Sequence, residues 1–83
     1  MSWEYDSTVE VIKAVRIGTG RDAKVYTTAK AAAASCAYLR NANYFIRQGK
    51  NNLPFADPGG VRQERLYKKL LPVFKRILNE PTN

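Results

Sequence analysis

From Val61 to Asn79 the chain repeats Leu66, Leu70, Val73, Phe74 and Ile77 at steps of three and four and fills the gaps with Lys and Arg. An α-helix turns by about 100° per residue, so this spacing gathers the apolar side chains on roughly one half of a helical wheel. A helix with one apolar side has to bury that side against something. With 83 residues in all, the partner is expected from the rest of a single small domain, since there is no room for a second core. The other half of the wheel carries Arg62, Arg65, Lys69 and Arg76 as a narrow stripe, with Lys68 and Lys75 beside it. Glu64 is the acidic residue in that stretch, and Glu80 follows it.

Pro72 lies inside the same segment. Proline removes a backbone donor and crowds the carbonyl four residues back, at about 3 kcal/mol in an unbroken helix. Either the helix kinks at Pro72, or a second helix starts there and Arg76 loses phase with the stripe. Residues 80–83 read as a frayed tail.

The rest of the chain has to supply the cover. Thr27 or Thr28 can cap a helix from Ala29 to Gln48, with Gly49 as its stop. Ala29 and Ala31 to Ala34 have the highest helix propensity of any residue. Ala32, Ser35, Leu39, Ala42, Phe45 and Ile46 keep helical spacing and mark its apolar face, small at the start and large at the end. Asn is a mediocre helix former, so Asn41 is the point where this helix could break. Residues 49–60, with two Pro, three Gly and two Asn, read as an irregular loop. Leu53 and Phe55 in it are apolar enough to be expected as anchors on the core. A partner-binding loop is the sharper alternative.

Upstream, residues 8–17 are rich in β-branched side chains, and Val9, Val11, Val15 and Ile17 nearly alternate with polar or small neighbours. The pattern predicts a strand with one face buried. A short helix competes, because Ser7 to Glu10 fits a capping box and Gly18 would end it. Gly18 to Asp22 is a turn signal, and residues 23–27 give a second strand, so 8–27 read as a β-hairpin. An isolated hairpin is marginal in water and needs cover on one face. The expected fold is therefore α+β: an N-terminal β-hairpin packed against two or three C-terminal α-helices. Residues 1–7 read as an acidic aromatic arm.

Composition narrows function mainly by exclusion. There is no His and one Cys, which rules out a Ser-His-Asp or Cys-His pair, a His-based zinc site and a thiolate cluster. The Gly18-Thr19-Gly20 run lacks the third glycine of a dinucleotide fingerprint, and there is no Walker loop. No catalysis, cofactor, metal or small-molecule substrate is expected. Cys36, in an Ala-rich segment, reads as a small core residue. The hydrophobic share of 45% is that of a folded protein. No stretch approaches the roughly 20 apolar residues that span a bilayer. The opening MSWEYDST lacks the basic and apolar regions of an export signal. A cytoplasmic protein without membrane attachment is the expectation.

Charge points to a partner. The chain carries +7, with 14 Lys and Arg against 7 Asp and Glu. Glu4, Asp6 and Glu10 all fall in the first ten residues, so the body faces its partner with all the bases and only Asp22, Asp57, Glu64 and Glu80 to offset them. Such asymmetry favours a polyanion. The first reading is a non-catalytic nucleic-acid-binding accessory or regulatory protein, DNA or RNA. Its main contact is the basic C-terminal helix, Arg62, Arg65, Lys68, Lys69, Lys75 and Arg76, whose other meaning is an ordinary solvated face. A second cluster, Arg16, Arg21, Lys24 and Lys30, surrounds the hairpin tip, where charge also serves to protect an exposed edge. A third, Arg40, Asn43, Tyr44, Arg47 and Lys50, sets an aromatic among bases, although Tyr44 and Tyr38 are expected in the core with their hydroxyls at the surface. The alternative is a small protein-binding module or inhibitor that docks on an acidic surface of a larger protein. Trp3, Tyr5, Leu53 and Phe55 would carry that contact.

Overall fold

The fold is seen in a computed structural model that describes residues 13–80. Strand β1 (Val15–Ile17) pairs antiparallel with β2 (Lys24–Tyr26), in the register Val15 to Tyr26, Arg16 to Val25 and Ile17 to Lys24. Helix α1 (Ala29–Ile46), a single turn α2 (Leu53–Ala56) and helix α3 (Val61–Ile77) follow. A β-hairpin set against helices is the α+β arrangement expected from the sequence.

The hairpin turns through a short 3-10 segment, Gly20–Asp22, closed by the Asp22 amide donating to Thr19 and the Ala23 amide donating to Gly20. Gly18 is required there. Its φ is 110°, and a Cβ on it would lie 3.0 Å from the Ala23 Cα. β1 alternates as a half-buried strand should, with Val15 and Ile17 partly covered and Arg16 in water, whereas in β2 only Tyr26 is partly covered and Lys24 and Val25 face water. β1 is shorter than expected at its visible end. Lys13 and Ala14 are exposed and irregular, where the alternation is broken by Lys13. Residues 8–12, half of the proposed strand and of its helical rival, lie outside the described residues, as do Trp3, Tyr5 and positions 81–83.

Helix α1 starts where Thr28 accepts the Ala31 amide at 3.3 Å. It stops through a Schellman arrangement: Gly49, at φ 76°, donates to Ile46, and Lys50 donates to Phe45. No break occurs at Asn41. The side chain is fully buried and hydrogen-bonded on both sides, so its weak propensity is offset by bonds that leave the helix. The apolar face expected for α1 is only one of two. Ala33 and Ala37 bury against Leu70 of α3, with Cys36, Leu66, Tyr67, Leu71 and Phe74 packed around them. Ser35 and Leu39 instead face the hairpin across a groove shared with Ile17 and Tyr26. Ile46, at the far end of that side, is exposed. Alanine on the α3 side permits close approach of the two helices.

α1 and α3 run antiparallel, and both ends of the pair are tied. At one, Arg62 donates to the Asn41 side chain at 2.8 Å. At the other, the Glu80 carboxylate accepts the Ala29 amide at 2.6 Å. An anion at a helix N-terminus satisfies an orphan donor and meets the positive end of the macrodipole. Glu80, expected at the head of a frayed tail, is thus docked. Pro72 neither splits nor ends α3, which is one helix from Val61 to Ile77. Both Pro72 and Lys68, whose carbonyl loses its ladder partner, face water, so solvent can take that bond. Asn79 at φ 58° closes the helix, with Glu80 donating back to Lys75.

The connection from Gly49 to Gly60 is more ordered than its composition suggests. Pro54 sits in the first turn of α2, where its missing N–H costs nothing. A 3-10 turn, Pro58–Gly60, leads into α3 with Gly59 and Gly60 at φ 70° and 65°. Those glycines swing the chain so that Asp57 lies over the start of α3.

Candidate nucleic-acid interface

Because α3 is unbroken, its basic residues keep one phase. Arg65, Lys69 and Arg76 share a flank and all three are exposed. Lys75 is half-buried, and Lys68 lies 3.7 Å from Glu64, one turn earlier. Among the described residues that is the only ion pair, and a solvent-exposed pair of this kind is weak. Arg65, Lys69 and Arg76 therefore meet no carboxylate of the described residues within 4.0 Å.

Arg62, on the same stripe of the wheel, is placed differently. Its guanidinium stacks 3.6 Å from the centre of the Tyr44 ring and donates to Asn41. Asn41 in turn donates to Asp57 at 2.9 Å, and Asp57 accepts the Arg62 and Gln63 amides at 3.0 and 3.1 Å. One carboxylate thus takes three donors. The hydrogen bond from the Arg62 amide, above all, holds the Asp57 carboxyl below its ordinary range; burial opposes this, while Asn41, the Gln63 amide and the Arg62 charge add to it. This clasp joins α1, the loop and α3. In the sequence Asp57 counts only as one of the four acids that offset the bases. The available signal was an Asp just ahead of a Pro-Gly-Gly turn and a helix start.

Tyr44 and Tyr38, expected in the core, are both exposed. Tyr44 has one face covered by Arg62 and meets Phe45 edge-on at 5.0 Å. Arg40, Asn43 and Arg47 recur along one side of α1 and face water. At the hairpin, Arg21 stands in the turn and Arg16 reaches back to the Gly20 carbonyl at 3.4 Å. Arg21 and Lys24 border the groove against α1, a space of about 420 Å³. Lys30 is exposed in the first turn of α1. The described strands β1 and β2 pack on α1, and neither lies against α3. The structure therefore does not bring the hairpin cluster and the α3 stripe together; α1 lies between them.

Leu53 is half-buried, as a loop anchor should be, but Phe55 is 82% exposed and does not reach the core. One turn of helix directs residues two apart to different sides, and Leu53 takes the inward one. Cys36 is half-buried at the edge of the α1–α3 contact. Among the described residues no three His, Cys, Asp or Glu side chains are grouped to hold a metal, and no helix is long and apolar enough to cross a membrane. Comparison with protein families, with characterised proteins and with solved structures finds no match to this chain.

Proposed function

We propose that the chain is a small, non-catalytic nucleic-acid-binding protein whose main contact is the outer flank of α3. The observation that supports this is Arg65, Lys69 and Arg76 held in phase on one continuous helix, exposed and unpaired with any described carboxylate. Lys and Arg neutralise phosphates and release condensed counterions, which is the main source of affinity for a polynucleotide. Arg21 and Lys24 at the hairpin form a separate, secondary contact. Arg62 belongs to the clasp and is left out of the contact set. Cytoplasmic location is part of the same reading, since nucleic acid is the abundant polyanion there.

The test is a titration of the protein with single-stranded and duplex DNA and RNA at two salt concentrations. Binding should weaken steeply with salt. Reversing Arg65, Lys69 and Arg76 to Glu should abolish it while the melting temperature holds. Neutralising the same three residues to Ala, which removes three phosphate contacts without adding repulsion, should weaken binding and flatten the salt slope by about 2 to 3. Unchanged binding by the triple variant would refute the α3 assignment. A second reading, docking on an acidic protein surface, is favoured by the exposed Phe55 ring beside half-buried Leu53. It requires that no polynucleotide bind at low salt and that a defined complex with one acidic protein form in light scattering.

A further inference from the structure

Phe55 is the most exposed large apolar side chain among the described residues. Its backbone is fixed: the Phe55 and Ala56 amides both donate to the Asn52 carbonyl, at 3.1 and 3.0 Å, and the Schellman arrangement at Gly49 and Lys50 sets the preceding residues. The ring is thus displayed on an ordered turn. It borders an open pocket of about 350 Å³, whose other walls are Gly49, Lys50, Asn51, Asn52 and Ala56.

The chemistry of that wall is specific. Asn52 stands at the N-cap position of α2, yet its side chain makes no capping bond, so its amide is free to serve something else. Asn51 and Lys50 are exposed, and Arg47 lies one turn back along the chain. A protein-binding hot spot needs a contiguous apolar centre. The wall of this pocket sets one aromatic ring and one alanine among two amides, a glycine and a cation. A ring face, amide donors and acceptors, and an ammonium are the three groups that recognise a nucleobase with its phosphate. A base inside a duplex is stacked on both faces and cannot lie on Phe55. An unpaired one can.

We infer that Phe55 is a stacking platform for an unpaired nucleobase, with Asn51 and Asn52 directed to the base edge and Lys50 to the adjoining phosphate. The inference rests on the nucleic-acid reading above and gives it a substrate class, single-stranded or looped nucleic acid.

The experiment measures anisotropy of labelled DNA and RNA strands of about 12 nucleotides, within the span that one small module covers. The same strands carrying abasic sites, a matched duplex, and heparin as a polyanion without bases serve for comparison. Phe55→Ala should weaken binding of the intact strand about tenfold. It should leave the abasic strand, the duplex, heparin and the melting temperature unmoved, and Phe55→Trp should restore the affinity. Amide shifts of residues 50–56 on adding the intact strand should report the contact directly. DNA or RNA is decided by which strand shows the larger dependence on Phe55. Equal binding by wild type and Phe55→Ala, or an equal loss on the abasic strand, overturns this site while the α3 reading stands. Wild type binding duplex only does the same. Wild type binding no polynucleotide overturns both.

Discussion

Arg62 and Arg65 sit on the same stripe of one helix, three residues apart, and the fold uses them in opposite ways. At the level of Arg62, α1 offers Tyr44 and Asn41, and the guanidinium is drawn inward onto a ring and an amide. Arg65, Lys69 and Arg76 are offered nothing comparable and stay in solvent. The comparison shows that a position on the wheel sets the direction of a side chain, whereas the neighbouring helix sets its use. On that stripe the first turn of α3 is tied into the fold, while the basic residues beyond it stay in solvent.

The strongest way to break that contrast is to remove the hub of the clasp. Asn41→Leu keeps the size and favours the helix, but it strips Asp57 of a donor and Arg62 of its acceptor. For Asn41 a loss of about 2–3 kcal/mol is expected from buried partners left unpaired. In a domain this small that lowers the melting temperature by roughly 10–20 °C, measurable by circular dichroism. A melting temperature unchanged from wild type would show that the clasp contributes nothing net. Next comes the direct test of the two arginines. Arg62→Ala should cost about 1–2 kcal/mol, whereas Arg65→Ala should stay within about 0.5 kcal/mol. Polynucleotide affinity should fall in the reverse order, with the salt slope reduced by about 1 in Arg65→Ala alone. If the two variants behave alike in both assays, the division of α3 is wrong.

A finer test isolates the stack. A double-mutant cycle of Arg62→Ala and Tyr44→Leu should return a coupling of about 0.5–1 kcal/mol, and additivity would mean the ring and guanidinium merely touch. The smallest expected effect is on the acid side. In the fold the Asp57 carboxyl lies below its ordinary value, while in the unfolded chain it is near 3.9. Between those values the unfolded chain binds more protons, so stability rises with pH across that window. The contribution is complete above the unfolded value and is lost as pH falls through the folded one. Asp57→Asn should therefore melt lower at neutral pH and show a flatter acid limb, seen in thermal melts from pH 7 to 2.

What the sequence made legible were the features signalled locally. Thr28 and Gly49 bound α1, Gly18 turns the hairpin, and the step of three and four marks α3. Each is a cap, a glycine or a period within a few residues. What escaped were bonds between distant positions. Asn41 stood out as an odd residue in a helix, but the reason for it, Asp57 and Arg62, lies 16 and 21 positions away. The wheel put Arg62 on the basic stripe and could not know that Tyr44 waits beside it. Apolarity alone could not say that Leu53 turns inward and Phe55 outward. Pro72 looked like a break because the cost of its missing donor depends on whether water reaches Lys68.

The bond from Ala29 to Glu80 fixes where the chain leaves the helical pair. The exit from α3 sits beside the entrance to α1, and the whole length of α1, roughly 25 Å at 1.5 Å per residue, separates it from the turn that carries Phe55. A label or surface tether attached past Glu80 therefore begins at the opposite pole from the aromatic turn. Immobilising the protein by that end leaves Phe55 facing the solution.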